Sequence, residues 1–253
     1  MNRLKTVDQF LQNELKISEI PRDSSNNGLQ VEGKDTVDRA LFAVDASLEL
    51  FEYAAENSFD FIFVHHGLSW GDSLKRITGL NIKRLRPLIK NDISLYAVHL
   101  PLDAHPEHGH NAQLANFLGL ENREMFSKYS GAEIGVYGEL EEELSVEETA
   151  VLLSGKLKGN YSIYGDNERK IKKVGIISGG GGSGITDAAK LDLDCFITGE
   201  IKHDHYHTIK ELDIPVIALG HYCSEKPGIF AVMELIRDRF NIDCEFYDIP
   251  TGL

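Results

Sequence analysis

The sequence predicts an α/β protein of two related lobes with mainly parallel sheets, and three observations predict it. Short, continuously apolar runs alternate with helical stretches along most of the 253 residues. The β-α-β pattern is run through twice, once in each half. Ala54 to Phe63 aligns without gaps on Ala188 to Ile197, at a constant spacing of 134 positions. Strands apolar on both faces belong in a sheet covered on both sides, the usual setting of parallel strands.

The opening MNRLKTVDQFLQNELK reads as an amphipathic helix and lacks the apolar core of a signal peptide. ALFAVD (40–45) is the first buried strand, and Leu48, Phe51, Ala54 and Ala55 then recur at helical spacing. FDFIFV (59–64) follows, then a helical stretch to about Lys90, then ISLYAV (93–98). From roughly 125 to 172 the chain turns polar. Residues 139–148 carry six carboxylates, expected as a solvated face, and Ser145 ahead of Glu147 and Glu148 marks a helix start. The second round runs VGIIS (174–178), a Gly-rich turn, the helix ITDAAKLD, LDCFIT (193–198), a polar helical stretch and IPVIALG (214–220). Ile229, Val232, Met233, Leu235, Ile236 and Phe240 space a packed helix, and CEFYDIP reads as a last strand. The expected division is 1–125 and 126–253, with the C-terminal segment free to pack on the first lobe.

The net charge of −14 gives no general attraction for nucleic acid or an anionic membrane surface. No uncharged apolar run approaches the ~20 residues that span a bilayer. Cys195, Cys223 and Cys244 are odd in number and form no CxxC, which is reduced, intracellular usage, so a cytoplasmic location is expected.

In open α/β sheets functional groups collect beyond the carboxyl ends of the strands. Three apolar strands here end in His65-His66-Gly67, in His99-Leu100-Pro101-Leu102-Asp103 and in His221-Tyr222-Cys223-Ser224-Glu225. Singly, each admits a structural reading: a hydrogen-bonded histidine, a turn-forming Asp103, a helix-start Glu225. Together they supply nitrogen and oxygen donors with no required thiolate, which favours Zn, Mn, Fe, Co or Ni. Three or four imidazoles with two carboxylates exceed what one open ion needs and suit two divalent ions roughly 3.5–4 Å apart, with hydrolysis as the default chemistry.

Six ordered motifs carry a resemblance. They are Asn27-Gly28-Leu29-Gln30-Val31-Glu32-Gly33; Val64-His65-His66-Gly67 with Trp70; His99 through Pro106; Ile197-Thr198-Gly199-Glu200; Gly220-His221 with Glu225; and Asp248-Ile249-Pro250. From about residue 20 to 250 the chain resembles the Nif-three-like proteins of the short YbgI type, the GTP cyclohydrolase I type 2 family. The resemblance implies a dinuclear metal site in the cleft between two α/β lobes. It also implies a toroidal homohexamer, a dimer of trimers. One ion would be held by His65, His221 and Glu225, the other by His66, Asp103 and a bridging Glu225. His99 and Glu200 become candidates for supporting the ligands from behind or for proton transfer. The implied substrate is a nucleotide, GTP, whose imidazole ring would be opened. Cys223 and Ser224 depart from the small residues or Thr more usual there, which leaves Cys223 open to influence metal choice or simply to pack.

Weaker signals remain. Ser178-Gly179-Gly180-Gly181-Gly182-Ser183-Gly184 is either a tight, closely packed turn or a phosphate cradle, without the Lys of a P-loop. His203, His205 and His207 read as an exposed helix start, and His105, His108 and His110 as an exposed loop, with His105 nearest to substrate contact. Asp45 supports the site or ends its strand. The competing functional classes are a metal-binding scaffold or metal-delivery protein, and a phosphoesterase or peptidase on the same centre. Glu225→Gln separates enzyme from scaffold: a hydrolase loses turnover and keeps its assembly, whereas a scaffold changes only in metal occupancy.

Overall fold

The structure is a computed structural model that describes residues 2–252. The chain divides into two compact units, residues 2–102 with Ile229–Ile249, and Asp103–Gly228 with residues 250–252. The boundary lies at 102/103 rather than 125/126, because Leu114, Ala115 and Leu118 of the helix His110–Leu118 pack in the core of the second unit. The C-terminal segment joins the first unit, the option left open for it, because the strand Asp243–Phe246 runs parallel to Arg39–Asp45.

The first unit holds a five-stranded sheet in the order Asp243–Phe246, Arg39–Asp45, Phe61–His66, Ser94–Ala97, Gly28–Val31. The first four are parallel and the last is antiparallel. Leu41, Ala43, Ile62, Val64, Leu95 and Ala97 pack with Leu50, Phe51 and Ala54 of the helix Leu48–Glu56 and with Leu85 and Leu88 of the helix Leu80–Lys90. The alternate residues Phe42, Phe61, Phe63 and Tyr96 are buried too, and form a run of ring contacts. Burial of both faces is what the unbroken apolar runs require. Ser47 starts the helix Leu48–Glu56 by accepting from the Leu50 amide.

The second unit holds a six-stranded sheet, ordered Glu121–Tyr129, Ala132–Ser145, Lys170–Ile177, Cys195–Thr198, Val216–Ala218, Ser162–Tyr164. Its three central strands are parallel, as expected, but both flanks are antiparallel. Here the expectation of a mainly parallel sheet fails, because the start of the polar stretch, with its solvated carboxylates, is a long hairpin. Val136, Gly138 and Leu140 turn inward while Glu139 and Glu141 face solvent, so alternation hides a strand inside a carboxylate-rich run. In the central strands Val174, Ile176, Cys195, Ile197 and Ile217 join one core with the helices His110–Leu118 and Val146–Leu157. Ile177, Phe196 and Val216 join the other, with the helices Ile185–Lys190 and His205–Leu212. Ser145 and Glu148 close a reciprocal capping box at the start of Val146–Leu157.

The internal alignment has a physical counterpart. Asp60 Oδ2 accepts from the amides of Asp38 (2.8 Å) and Arg39 (3.0 Å), and Asp194 Oδ2 accepts from those of Lys172 (2.9 Å) and Lys173 (2.7 Å). Phe59 N donates to Ala54 O at 2.9 Å, and Leu193 N to Ala188 O at 3.1 Å. The residues between adopt left-handed backbone at Ser58 (φ 56°) and Asp192 (φ 51°). One carboxylate thus ties the entries of two neighbouring strands together in each unit.

Candidate metal centre

In the first unit three imidazoles meet at the strand exits. His65 and His66 end the strand Phe61–His66, and His99 follows Ser94–Ala97 two residues on. The His65 ring lies 4.5 Å from that of His66 and 5.1 Å from that of His99, centroid to centroid. One ligating nitrogen from each of the three lies within 4.8 Å of the others.

Each Nδ1 has a dedicated partner: Val98 O for His65 (2.9 Å), Asp45 Oδ1 for His66 (2.7 Å) and Asp23 Oδ1 for His99 (2.8 Å). A carbonyl oxygen only accepts, so Nδ1 of His65 carries the proton and the lone pair of the neutral ring sits on Nε2. An imidazole that donates one N–H to a carbonyl or carboxylate while offering its other nitrogen is the arrangement metal-ligating histidines adopt. The donor set therefore fits a divalent cation. Trp70 walls the cluster with its ring edge-on to His99 at 4.9 Å, held by its Nε1 donating to Gly67 O (2.7 Å). Gly67 is required here. A side chain at this position would meet the Gln30 carboxamide, whose Oε1 accepts the Leu68 and Ser69 amides.

Asp23, absent from the sequence reading, is the hub of this shell. It also accepts from the Asn27 side chain and from the Ser25 and Leu100 amides, while Asn27 Oδ1 accepts the His99 amide. Burial pushes the Asp23 carboxyl up, but the hydrogen bonds from His99, Asn27 and Ser25 outweigh it and hold the group below the ordinary aspartate range. Asp45, read as either support or strand end, holds His66. The sequence signal for Asp23 was weak: an acidic residue four positions before Asn27, in a segment with no periodicity.

In the second unit His221 opens the short helix His221–Ser224, with its Nε2 3.2 Å from Glu225 Oε1 and its Nδ1 3.5 Å from Glu200 Oε1. The Glu225 hydrogen bond, opposed by burial and aided by the charge of Glu200, pushes the His221 pKa up to about 9. Glu225 is buried, Glu200 half-exposed. Gly179 N donates to Ser224 Oγ, which itself donates to His221 O, so the Gly-rich turn and this helix are locked together. Asp103 is buried in this unit, accepting from Ser178 Oγ at 3.2 Å, while Asn111 donates to its backbone carbonyl.

The remaining signals lie mostly in close-packed surroundings. Added side chains at Gly179, Gly181, Gly182 and Gly184 would come within 3.0 Å of Glu225, Ile177, His205 and Ile177 respectively, so the glycines serve close approach. Cys223 Sγ sits against the Cα of Gly159. His203 and His207 are exposed as expected, but His205 turns in against Gly182. His105 and His110, expected on an exposed loop, are buried. Nδ1 of His105 accepts from the Glu107 and His108 amides, and Nδ1 of His110 from the Gly228 amide.

An α/β fold whose strand exits present imidazoles and carboxylates in metal-ligand chemistry defines a candidate metal protein. The chain belongs to the family described as Duf34/NIF3 (NGG1p interacting factor 3), which it matches over residues 2–251. It is 44% identical to the "GTP cyclohydrolase 1 type 2 homolog" of Pyrococcus abyssi over 248 residues, covering 98% of each chain. Among solved structures it is similar to protein ybgI, described as of unknown function, with TM-score 0.89, 35% identity, and 99% and 100% of the two chains covered. It is likewise similar to the protein TTHA1606 from Thermus thermophilus, with TM-score 0.87, 37% identity and the same coverage. Among the described residues, no helix is long and apolar enough to cross a membrane.

Proposed function

We propose that this protein is a hydrolase dependent on two divalent cations that acts on a nucleotide-like substrate, with opening of the guanine imidazole ring of GTP as the specific reaction. The observation that carries it is the pair of adjacent imidazoles His65 and His66 at one strand exit, each with its Nδ1 held by an acceptor. His65, His221 and Glu225 would hold one cation, and His66, Asp103 and Glu225 the other. When bound, such a pair supplies Lewis acidity and makes water a nucleophile at neutral pH. The name shared by relatives such as that of Pyrococcus abyssi supports GTP as the substrate to try first.

The protein's own groups have the remaining tasks. Ring opening adds water at C8 and breaks the C8–N9 bond; the water oxygen becomes the formyl oxygen, so both of its protons must leave it, one ending on N7 and one on N9. Glu200 offers a half-exposed carboxylate for the first transfer. His99, its Nδ1 tied to Asp23, offers Nε2 for the second. The working assembly proposed is a homohexamer, a dimer of trimers, in the cytoplasm.

The test is metal analysis of protein purified without added metal, joined to GTP turnover under anaerobic conditions. About two equivalents of cation and a ring-opened product are expected. Two equivalents with no turnover of nucleotides, phosphoesters or peptides would replace the hydrolase with a metal-carrying scaffold.

A further inference from the structure

The second unit contains a pocket of about 140 Å³ beside Asp103 that none of the roles above uses. Pro106, Ala112, Met125 and Val136 give it an apolar lining, and Asp103, Glu124 and Arg123 stand at its wall. Its volume matches that of an apolar cavity, ~150 Å³, that takes up a benzene-sized molecule. It has room for one ring and not for a whole nucleotide.

Arg123 is unusual in a chain of net charge −14. Its Nε donates to Leu120 O (2.7 Å) and its guanidinium to Asn116 Oδ1 (2.6 Å), both neutral acceptors. It makes no ion pair among the described residues. Two hydrogen bonds to uncharged oxygens orient the guanidinium without pairing it to a carboxylate. Its remaining N–H donors suit a phosphate or carboxylate.

We propose that this pocket is the substrate-recognition subsite: it takes an aromatic ring of the substrate, and Arg123 pairs with the anionic group that ring carries. The assignment deepens the hydrolase reading and rests on it only for placing the chemistry next to Asp103. It restricts the substrate to a planar ring bearing a phosphate or carboxylate, which a nucleotide satisfies and a neutral peptide does not.

The test measures binding rather than turnover, on chelator-treated full-length protein, with GTP, guanosine and tripolyphosphate as probes in equilibrium dialysis. GTP is expected to bind more tightly than either guanosine or tripolyphosphate. Arg123→Glu, at an exposed position, should weaken GTP about tenfold, as loss of a charge-assisted contact does, and leave guanosine within about twofold. Ala112→Leu fills the pocket and should weaken GTP and guanosine about tenfold each without affecting tripolyphosphate. Circular dichroism confirms that each variant is folded; if Ala112→Leu is not, Met125→Trp fills the same space from the strand Glu121–Tyr129. Tripolyphosphate binding as tightly as GTP, or GTP affinity unchanged in Arg123→Glu and in a folded pocket-filling variant, would overturn the proposal. Metal content and GTP turnover of the untreated protein are read separately. Ring-and-anion binding without turnover leaves the subsite standing and removes the hydrolase; turnover with unaltered binding in the variants does the reverse.

Discussion

The two units enter their strands in the same way and leave them differently. Asp60 and Asp194 tie strand entries with the same pair of amide bonds. At the exits, Val98 N bonds Val64 O in one unit and Leu219 N bonds Thr198 O in the other, so His65 corresponds to Gly199, His66 to Glu200 and His99 to Gly220. The first unit spends these positions on imidazoles fixed from behind by Asp23, Asp45 and a carbonyl. The second has glycine at two of them and Glu200 at the third, and a side chain at Gly199 would lie 2.6 Å from Gly179 O and from Ser224 Oγ. Its other donors, His221 and Glu225, come from the helical turn that this close approach admits. Entry geometry serves folding and is shared; exit chemistry serves the site and is not.

The largest effect should come from breaking the imidazole exits. His66→Ala is expected to lower cation affinity more than about 100-fold, and Asp45→Asn, which leaves the ligand but unfixes its ring, about 10- to 100-fold. Metal titration of chelator-treated protein measures both, and equal losses in the two variants would argue against an orienting role for Asp45.

Next come the shared entries. Asp60→Ala strips two amides of a charged acceptor and a partner from Lys34, 2.5 Å away, at a buried carboxylate, and should cost about 3 kcal/mol. Asp194→Ala removes the same two amide bonds at a less buried site and should cost about 2 kcal/mol. Denaturant unfolding of both variants sharpens the comparison; a neutral Asp194→Ala would show the device to be needed in one unit only.

Gly199→Ala probes the second unit's exit. Its contacts include the backbone of Gly179, which cannot swing aside, so about 2 kcal/mol of destabilisation is expected, with loss of the Ser224 lock. Thermal unfolding reads the first and metal titration the second.

The smallest effect is a pH dependence. The Asp23 carboxyl titrates below its ordinary value of 3.8 in the folded protein, so the folded state binds fewer protons there than the unfolded chain. Its stabilisation is therefore complete above 3.8 and is lost as pH falls through the lowered folded value. Urea unfolding of wild type and Asp23→Asn should show a steeper acid loss for the wild type.

Much of this was legible in the residues. The apolar runs, the periodic helices and the histidines after them are local signals, spread over at most a dozen positions. The tightness of the Gly-rich turn was also within reach, since it follows from a run of glycines between predicted elements. The hairpin through 121–145 was not, because its exposed face is so acidic that the alternation beneath it reads as solvated chain. Asp23 was not, because it meets His99 across 76 positions and no local pattern announces such a pair.

By itself, then, the amino-acid order determined the alternation of apolar strands with periodic helices outside the 121–145 hairpin, and that histidines follow three of those strands. Hydrophobic periodicity and turn chemistry act between near neighbours and survive in a one-dimensional text. Only the folded chain decided that residues 229–249 complete the first sheet, which histidine nitrogen is held and which is offered, and why glycine stands where the other unit has histidine. Those outcomes depend on distances between remote residues, set by sheet register and close packing, which no local pattern encodes.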